Sequence, residues 1–290
     1  MTTLMTINAL DLYERDTPVE LARYAEVEGL IREVDPDIIA VQEIISDGAD
    51  SAAKRLGAVD GLRRLAAAVK RRCEVDGQPA VAVGGMRCHT GLLWRDGIQP
   101  VRGTLRPLTR EDDGMWHCGV SVVLALRGRR LRVGSVQLSP FSLLWARMDI
   151  AQVLRVFNAD DVPGLVGGDW NSIGADPDYD PDPYPGVPWH PDHVYQLTDS
   201  GEVDRGPGRR LDLGRMRDCA RLAGVEWTAT TGHHPADNHP PRRADRWHAT
   251  HGVPGDAIID LRTISADRVG TITDHRPVIV DIDDRALPRA

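Results

Sequence analysis

Lysine is almost missing from this 290-residue chain: Lys54 and Lys70 stand alone, and the other 33 of its 35 basic residues are arginine. The skew accompanies abundant alanine, glycine and aspartate, as a GC-rich coding sequence produces, and no function is read from it. Cysteine is also scarce. Cys73, Cys88, Cys118 and Cys219 lie far apart with no CxxC pair, which argues against a structural zinc site. No stretch approaches the roughly 18–20 uninterrupted apolar residues of a membrane span. The opening "MTTLMTINALDLYERD" lacks the basic region and apolar run of a signal peptide. Scattered thiols without a secretion signal are expected to stay reduced, so the expected location is cytoplasmic. Positive charge is in deficit too. A net charge of −8 disfavours long-range attraction to nucleic acid or an anionic membrane.

What is present suits a globular protein. A hydrophobic content of 41% over this length supports a sizeable core. No repeat or linker divides the chain, so residues 1–290 are expected to form a single domain.

Residues 4–8 ("LMTIN") read as a strand. Thr17, Pro18 and Glu20 supply an N-cap, a first-turn proline and a capping acid for a helix reaching about Val34. "DIIAVQEI" (37–44) reads as a buried strand ending in an acid. "AAKRLGAVDGLRRLAAAVKRRC" has helical pattern. Strands are expected at "PAVAVG", "TGLLWR", "CGVSVVLAL", "RLRVGSVQL" and "GLVGGD", with a helix at "LLWARMDIAQVLRVFN". Residues 174–208, rich in Pro, Asp and Gly, read as a long loop. "LGRMRDCARLAG" reads as one helix ending on Gly224, and "DAIIDLRTIS" and "HRPVIVDID" close the chain.

Polar residues end several apolar runs: Asn8 after "LMTI", Glu43 after "IIAVQ", Asp169 and Asn171 after "GLVGG", with Asp274 and His275 before "RPVIV". Oxygen donors gathered from strand tips suit a hard cation such as Mg²⁺. Singly, each reads more simply as a cap or a solvated side chain.

In this order the motifs resemble the endonuclease/exonuclease/phosphatase superfamily: "TIN", "VQEI", "GDWNS" and the terminal "TDHRPV". The resemblance covers nearly the whole chain and implies an α/β fold, a four-layer sandwich of two mixed sheets face to face with helices on both outer faces. It implies that Glu43 binds a divalent cation, Mg²⁺ with Mn²⁺ as the alternative, assisted by Asn8 and Asp274. Asp169 would position or deprotonate the attacking water, Asn171 would hold phosphoryl oxygens, and His275 would donate to the phosphoryl group. An R-x-D motif supplies the acid that orients the histidine. "RRADRW" makes Asp245 that acid, with Asp260 of "IIDLR" as the rival.

One position departs from the pattern. Gln137 of "GSVQLSPFS" stands where many members carry histidine; glutamine donates a hydrogen bond but carries no proton or charge at neutral pH. Asp176, Asp178, Asp180 and Asp182 crowd the following loop and, if poised over a pocket, would repel a polyanion. Trp170, Tyr184 and Trp189 are candidates to line that pocket, and Arg242 and Arg243 to contact a phosphate. The five histidines between His233 and His251 show no familiar zinc spacing and are expected to face solvent on a loop. The expected activity is metal-dependent hydrolysis of a phosphodiester or phosphomonoester, with a small substrate favoured over nucleic acid. Two alternatives stand beside it: a redirected member acting on a small metabolite without phosphate chemistry, and a binding protein that kept the fold.

Overall fold

The computed structural model describes residues 1–289. Two sheets dominate it. The first contains β1 (Thr2–Leu12), β2 (Ile38–Ile45), β3 (Val81–Ala82) and β4 (Cys88–Trp94). The second contains β5 (Cys118–Leu126), β6 (Arg129–Gln137), β7 (Gly164–Asp169) and β8 (Asp245–Ala249). The chain then returns to the first sheet with β9 (Ile258–Thr263) and β10 (Val278–Ile282), giving the order β9-β10-β1-β2-β4-β3. In the second sheet the order is β8-β7-β6-β5, extended at its edges by the short strands Arg217–Asp218, Gln99–Pro100 and Arg106–Leu108. Both sheets are mixed: β1 runs parallel to β2 and β6 parallel to β7, while the remaining neighbours are antiparallel.

Period-two alternation sorts the apolar residues into layers. Leu4, Ile38, Ala40 and Leu92 of the first sheet pack against Val120, Val122, Val133, Leu165 and Trp247 of the second, forming a core between the sheets. Their strand neighbours Met5, Ile39, Val41 and Leu93 face the other way, onto the helices α1 (Pro18–Val34) and α2 (Ser51–Ala68). Val136 and Val166 likewise leave the central core for α3 (Leu143–Phe157) and for Leu211 of α4 (Gly206–Leu213). Three cores between four layers make this the expected sandwich.

Local signals read from the sequence act as expected at α1, where the Thr17 hydroxyl accepts from the Glu20 amide at 3.3 Å and Pro18 opens the first turn. Other elements differ. "LGRMRDCARLAG" is not one helix: α4 stops at Leu213, Arg217–Asp218 pairs with β8, and a short helix, Cys219–Ala223, ends on Gly224 at φ 66°. The edge of the sheet recruits Arg217–Asp218, and the helical pattern yields to that pairing. Of "PAVAVG" only Pro79, paired with Glu74, and Val81–Ala82 are strand. Residues 174–208 include a 3₁₀ turn, Pro191–Gln196, and are tied down by Arg205, which donates to the Gly174 and Asp180 carbonyls at 2.6 Å each.

No helix among the described residues is long and apolar enough to cross a membrane.

Candidate active site

Alternation along four strands aims the polar tips at one place. Leu4, Thr6 and Asn8 share the inner face of β1. Gln42 follows Ala40 on the inner face of β2, and Ser135 and Gln137 follow Val133 on β6. A buried polar rung closes the core beneath the tips: Gln42 donates to the Ser135 hydroxyl at 2.9 Å, and Ser135 donates to the Val41 carbonyl at 3.1 Å. In the second sheet the register sets Asp169 level with both Gln137 and Asp245. Gly167 and Gly168 make that tip possible. A Cβ at Gly167 would lie 2.7 Å from the Trp247 indole, and one at Gly168 would lie 1.9 Å from the Val136 carbonyl oxygen.

Glu43 reaches the site by breaking the alternation. Strict period two would send it outward beside Val41, toward the helices. A register shift falls between Val41 and Ile44, and Glu43 adopts φ 61°, a strained conformation for a residue other than glycine. The bulge turns its carboxylate inward. There Oε1 accepts from the Asn8 and Gln137 amides at 2.9 Å each, and Oε2 accepts from the Asp11 backbone N–H at 3.2 Å. Burial, then the nearby Asp274 carboxylate, pushes the Glu43 pKa up to about 7 from its usual 4.5. A buried Asp274 oxygen, Oδ1, has no hydrogen-bond partner. Glu43 and Asp274 thus form a nest of carboxylate oxygens that fits a hard divalent cation, and Asn8 faces it with its amide nitrogen while its Oδ1 accepts from the Leu10 N–H at 3.2 Å.

Asp169 stands opposite. Its Oδ1 accepts from the Asn171 backbone N–H at 2.9 Å, and its Oδ2 accepts from the Asn171 carboxamide at 3.0 Å and from Asn8 at 3.3 Å. Asn171 also donates to the Leu138 carbonyl at 2.9 Å, so both its amide hydrogens are committed. Its φ of 44° folds the chain back over Asp169, and Gln196 of the following loop donates to its carbonyl at 2.7 Å. The geometry makes Asn171 an anchor for Asp169, in contrast to the expected contact with phosphoryl oxygens. Gln137 is likewise spent on Glu43 through its amide, while its Oε1 is buried without a partner.

His275 Nδ1 lies 2.8 Å from Asp245 Oδ2. Ligand atoms of Asp169, Asp245 and His275 all fall within 4.8 Å of one another. Burial alone would lower the pKa of His275, but Asp245, Asp274 and Asp169 overcome it and hold it well above 6.5. The loop carrying the histidine is fixed by Thr273, whose hydroxyl donates to the Asn8 carbonyl at 2.7 Å and accepts from the His275 N–H at 3.2 Å. Asp260 is half exposed on β9 beside Arg262 and does not approach His275.

Two expected contacts lie elsewhere. Arg243 is buried against Asp180, donating through Nε and Nη2 at 2.9 and 2.7 Å, and also pairs with Asp218. It is a structural cross-link between the Asp-rich loop and the second sheet and does not face a substrate. Trp170 points to the outer face, fully buried, donating to the Arg246 carbonyl at 3.0 Å, so it lines no pocket. Trp189 is 75% exposed. The Asp-rich loop spends much of its charge internally, because Asp180 holds Arg243 and Asp176 pairs with Arg221. The histidine segment is less solvated than expected: His248 is buried edge-on to Trp170, and burial lowers its pKa to about 3.

One residue escaped the sequence reading. His117 immediately precedes β5, whose first residue pairs with Gln137. Its ring is buried, Nδ1 has no partner, and burial lowers its pKa to about 4 against the pull of Asp169. The signal was available, since His117 borders the apolar run "CGVSVVLAL" as Glu43 and Asp169 border theirs.

No family model and no curated protein matches the chain in sequence. Solved structures do match in shape. A protein from Beutenbergia cavernae described as endonuclease/exonuclease/phosphatase is 20% identical, with a TM-score of 0.59 over 96% of this chain and 70% of that one. Truncated TDP2 from Caenorhabditis elegans is 14% identical, with a TM-score of 0.56 and 96% of each chain covered. A mannosyl-6-phosphatase from Bacteroides thetaiotaomicron is 12% identical, with a TM-score of 0.59, over 98% of this chain and all of that one.

Proposed function

The chain has the fold of the endonuclease/exonuclease/phosphatase superfamily, and we propose that it is a divalent-metal-dependent phosphoesterase acting on a small phosphate ester. The observation that carries this reading is the Asn8 carboxamide. It donates to both Glu43 and Asp169 and so ties the cation nest of the first sheet to Asp169 of the second, where Asp245 and His275 gather.

Each side chain has work suited to its surroundings. Asp169, held by three donors, orients an attacking water. His275, kept charged by Asp245, donates from Nε2 to a phosphoryl oxygen or a departing alkoxide. Glu43 and Asp274 would hold the cation, with Asn8 fixing the Glu43 carboxylate, and the cation would neutralise charge accumulating on the equatorial oxygens during in-line attack. Gln137 orients Glu43. The net charge of −8 favours a small substrate over a polyanion, and four free cysteines suit a reducing cytoplasm.

The test is a screen of phosphomonoesters, phosphodiesters and nucleic acids with Mg²⁺, Mn²⁺ or chelator. Turnover that needs the cation and disappears in Asp169→Ala and His275→Ala, with folding intact, supports the reading. Undiminished turnover in both variants overturns it.

A further inference from the structure

The face beside this site carries apolar surface that the core does not need. On α3 and the turn before it, Phe141, Leu144, Trp145 and Met148 are 51%, 62%, 39% and 59% exposed. Their spacing of 3, 1 and 3 residues places them on one stripe. A contiguous patch of this kind marks a binding surface more often than idle surface.

The patch is continuous with the catalytic group through a series of rings. His117 adjoins Cys118, which pairs with Gln137, itself level with Asp169, and the His117 ring lies against Phe141 with centroids 6.5 Å apart. Phe141 meets Trp116 edge-on at 5.7 Å, and Trp116 stacks on Trp145 at 4.3 Å and 13°. A cavity of about 320 Å³ opens there, lined by Arg110, Gly114, Trp116, Trp145, Met148 and Asp149. That volume lies at the lower end for small-molecule sites. The Arg110 guanidinium lies 4.3 Å over the Trp116 ring and forms no ion pair among the described residues.

The shelf is fixed in place. Asp149, buried on α3, accepts from the Trp116 N–H at 3.0 Å and from the Ser139 N–H at 3.2 Å. It thereby clips the segment carrying Trp116 and His117 to the segment that follows Gln137. A preorganised apolar surface loses little freedom on binding.

We propose that this shelf binds the non-phosphate part of the substrate, a ring-bearing apolar alcohol esterified to the phosphate, and so selects aromatic or bulky apolar esters. The proposal rests on the phosphoesterase reading. The shelf accounts for an acidic protein that recognises its substrate chiefly by apolar contact.

The test compares 4-nitrophenyl methyl phosphate with 4-nitrophenyl 2-phenylethyl phosphate, which share a leaving group and differ in the second ester. The wild-type protein should prefer the phenylethyl diester about tenfold or more in kcat/KM, as burial of one ring allows. Trp145→Ala and Met148→Ala, both at exposed positions, should remove most of that preference, chiefly through KM. They should leave the methyl diester within about twofold. Equal rates for the two esters in the wild type, or equal losses on both in the variants, would overturn the shelf and leave the phosphoesterase reading standing. If neither diester is hydrolysed with any divalent cation, diester hydrolysis is excluded and the phosphoesterase reading is decided by the phosphomonoesters of the screen above. The shelf is then judged by quenching of tryptophan fluorescence with 2-phenylethyl phosphate: loss of binding in Trp145→Ala supports it, and no binding to the wild type overturns it. Sedimentation with phosphatidylcholine vesicles that depends on Trp145, with no change in diester preference, would assign the patch to a lipid surface and overturn the proposal.

Discussion

Asp245 and His275 are the pair on which chemistry at this site turns, and their contact makes a directional prediction. Asp245 helps to hold the His275 pKa above its ordinary value, so a reaction that needs the charged imidazole continues at alkaline pH until that raised value is reached. Asp245→Asn should lower kcat by about 10²–10⁴ and move the alkaline limb of the pH–rate profile toward lower pH. An unchanged limb would separate His275 from the proton transfer. The same pair contributes stability that is fully present at low pH and is lost as pH rises through the raised histidine pKa.

Glu43 shifts stability with pH in the same sense. Its pKa is raised from 4.5 to about 7, so the folded, metal-free protein binds more protons than the unfolded chain between those values. Its stability should therefore fall as pH rises across that window. Protons and cation compete for the carboxylate, so metal-induced stabilisation should weaken below about pH 7. Glu43→Gln removes the charge at nearly constant shape. We expect it to raise the metal-free melting temperature at pH 8 and to abolish the response to Mg²⁺, both measured by calorimetry.

At the level of elements, the Asp-rich loop and the second sheet are joined by Arg243. Asp180→Ala strips a buried guanidinium of its bidentate partner and leaves it to Asp218 alone. The expected cost is about 3 kcal/mol, read as a lower denaturation midpoint with unchanged slope. KM for a phosphate ester should hardly move, because Arg243 donates to Asp180 and Asp218 and to no residue of the site. A large KM effect with little stability change would return Arg243 to the substrate site. Gly167→Ala makes a separate case. The added methyl meets the Trp247 indole at 2.7 Å, and overpacking of this kind costs about 1–3 kcal/mol. Activity should fall with it, since β7 delivers Asp169 through that contact.

Such elements show how far sequence reasoning reaches. The ends of β1, β2, β6 and β7 were legible because an apolar run that stops on a polar residue marks a strand leaving the core. Which way each tip faces was legible only where alternation holds. It holds for Asn8, Gln137 and Asp169. It fails at Glu43, whose inward turn depends on a bulge that composition does not announce. Trp170 sits next to a motif residue in the chain yet faces the outer layer, and Arg243, just before β8, is spent on Asp180 and Asp218. One step along a strand reverses the face, and adjacency to "GDWNS" or "RRAD" carries no information about side-chain direction.

For the molecule as a whole, three cores running through four layers predict one cooperative unit. Thermal unfolding should show a single transition, and a divalent cation at about 100 times its dissociation constant should stabilise the fold by roughly 2.7 kcal/mol. Two transitions, only one of them metal-sensitive, would divide the chain into separate domains. The net charge of −8 acts at the same scale, weakening any encounter with a polyanion while leaving a small ester nearly unaffected.

By itself, the sequence determined where most strands and helices lie along the chain, because hydrophobic periodicity is a local property that survives in any context. It also determined the order of the polar tips. Only the tertiary structure decided that Asn8 bridges the two sheets, that Asn171 and Gln137 are spent on neighbouring carboxylates, and that aromatic rings from two separate segments stack beside them. These outcomes depend on distances between residues up to 161 positions apart in the chain. Such distances are set by how the sheets stack, and no local pattern encodes them.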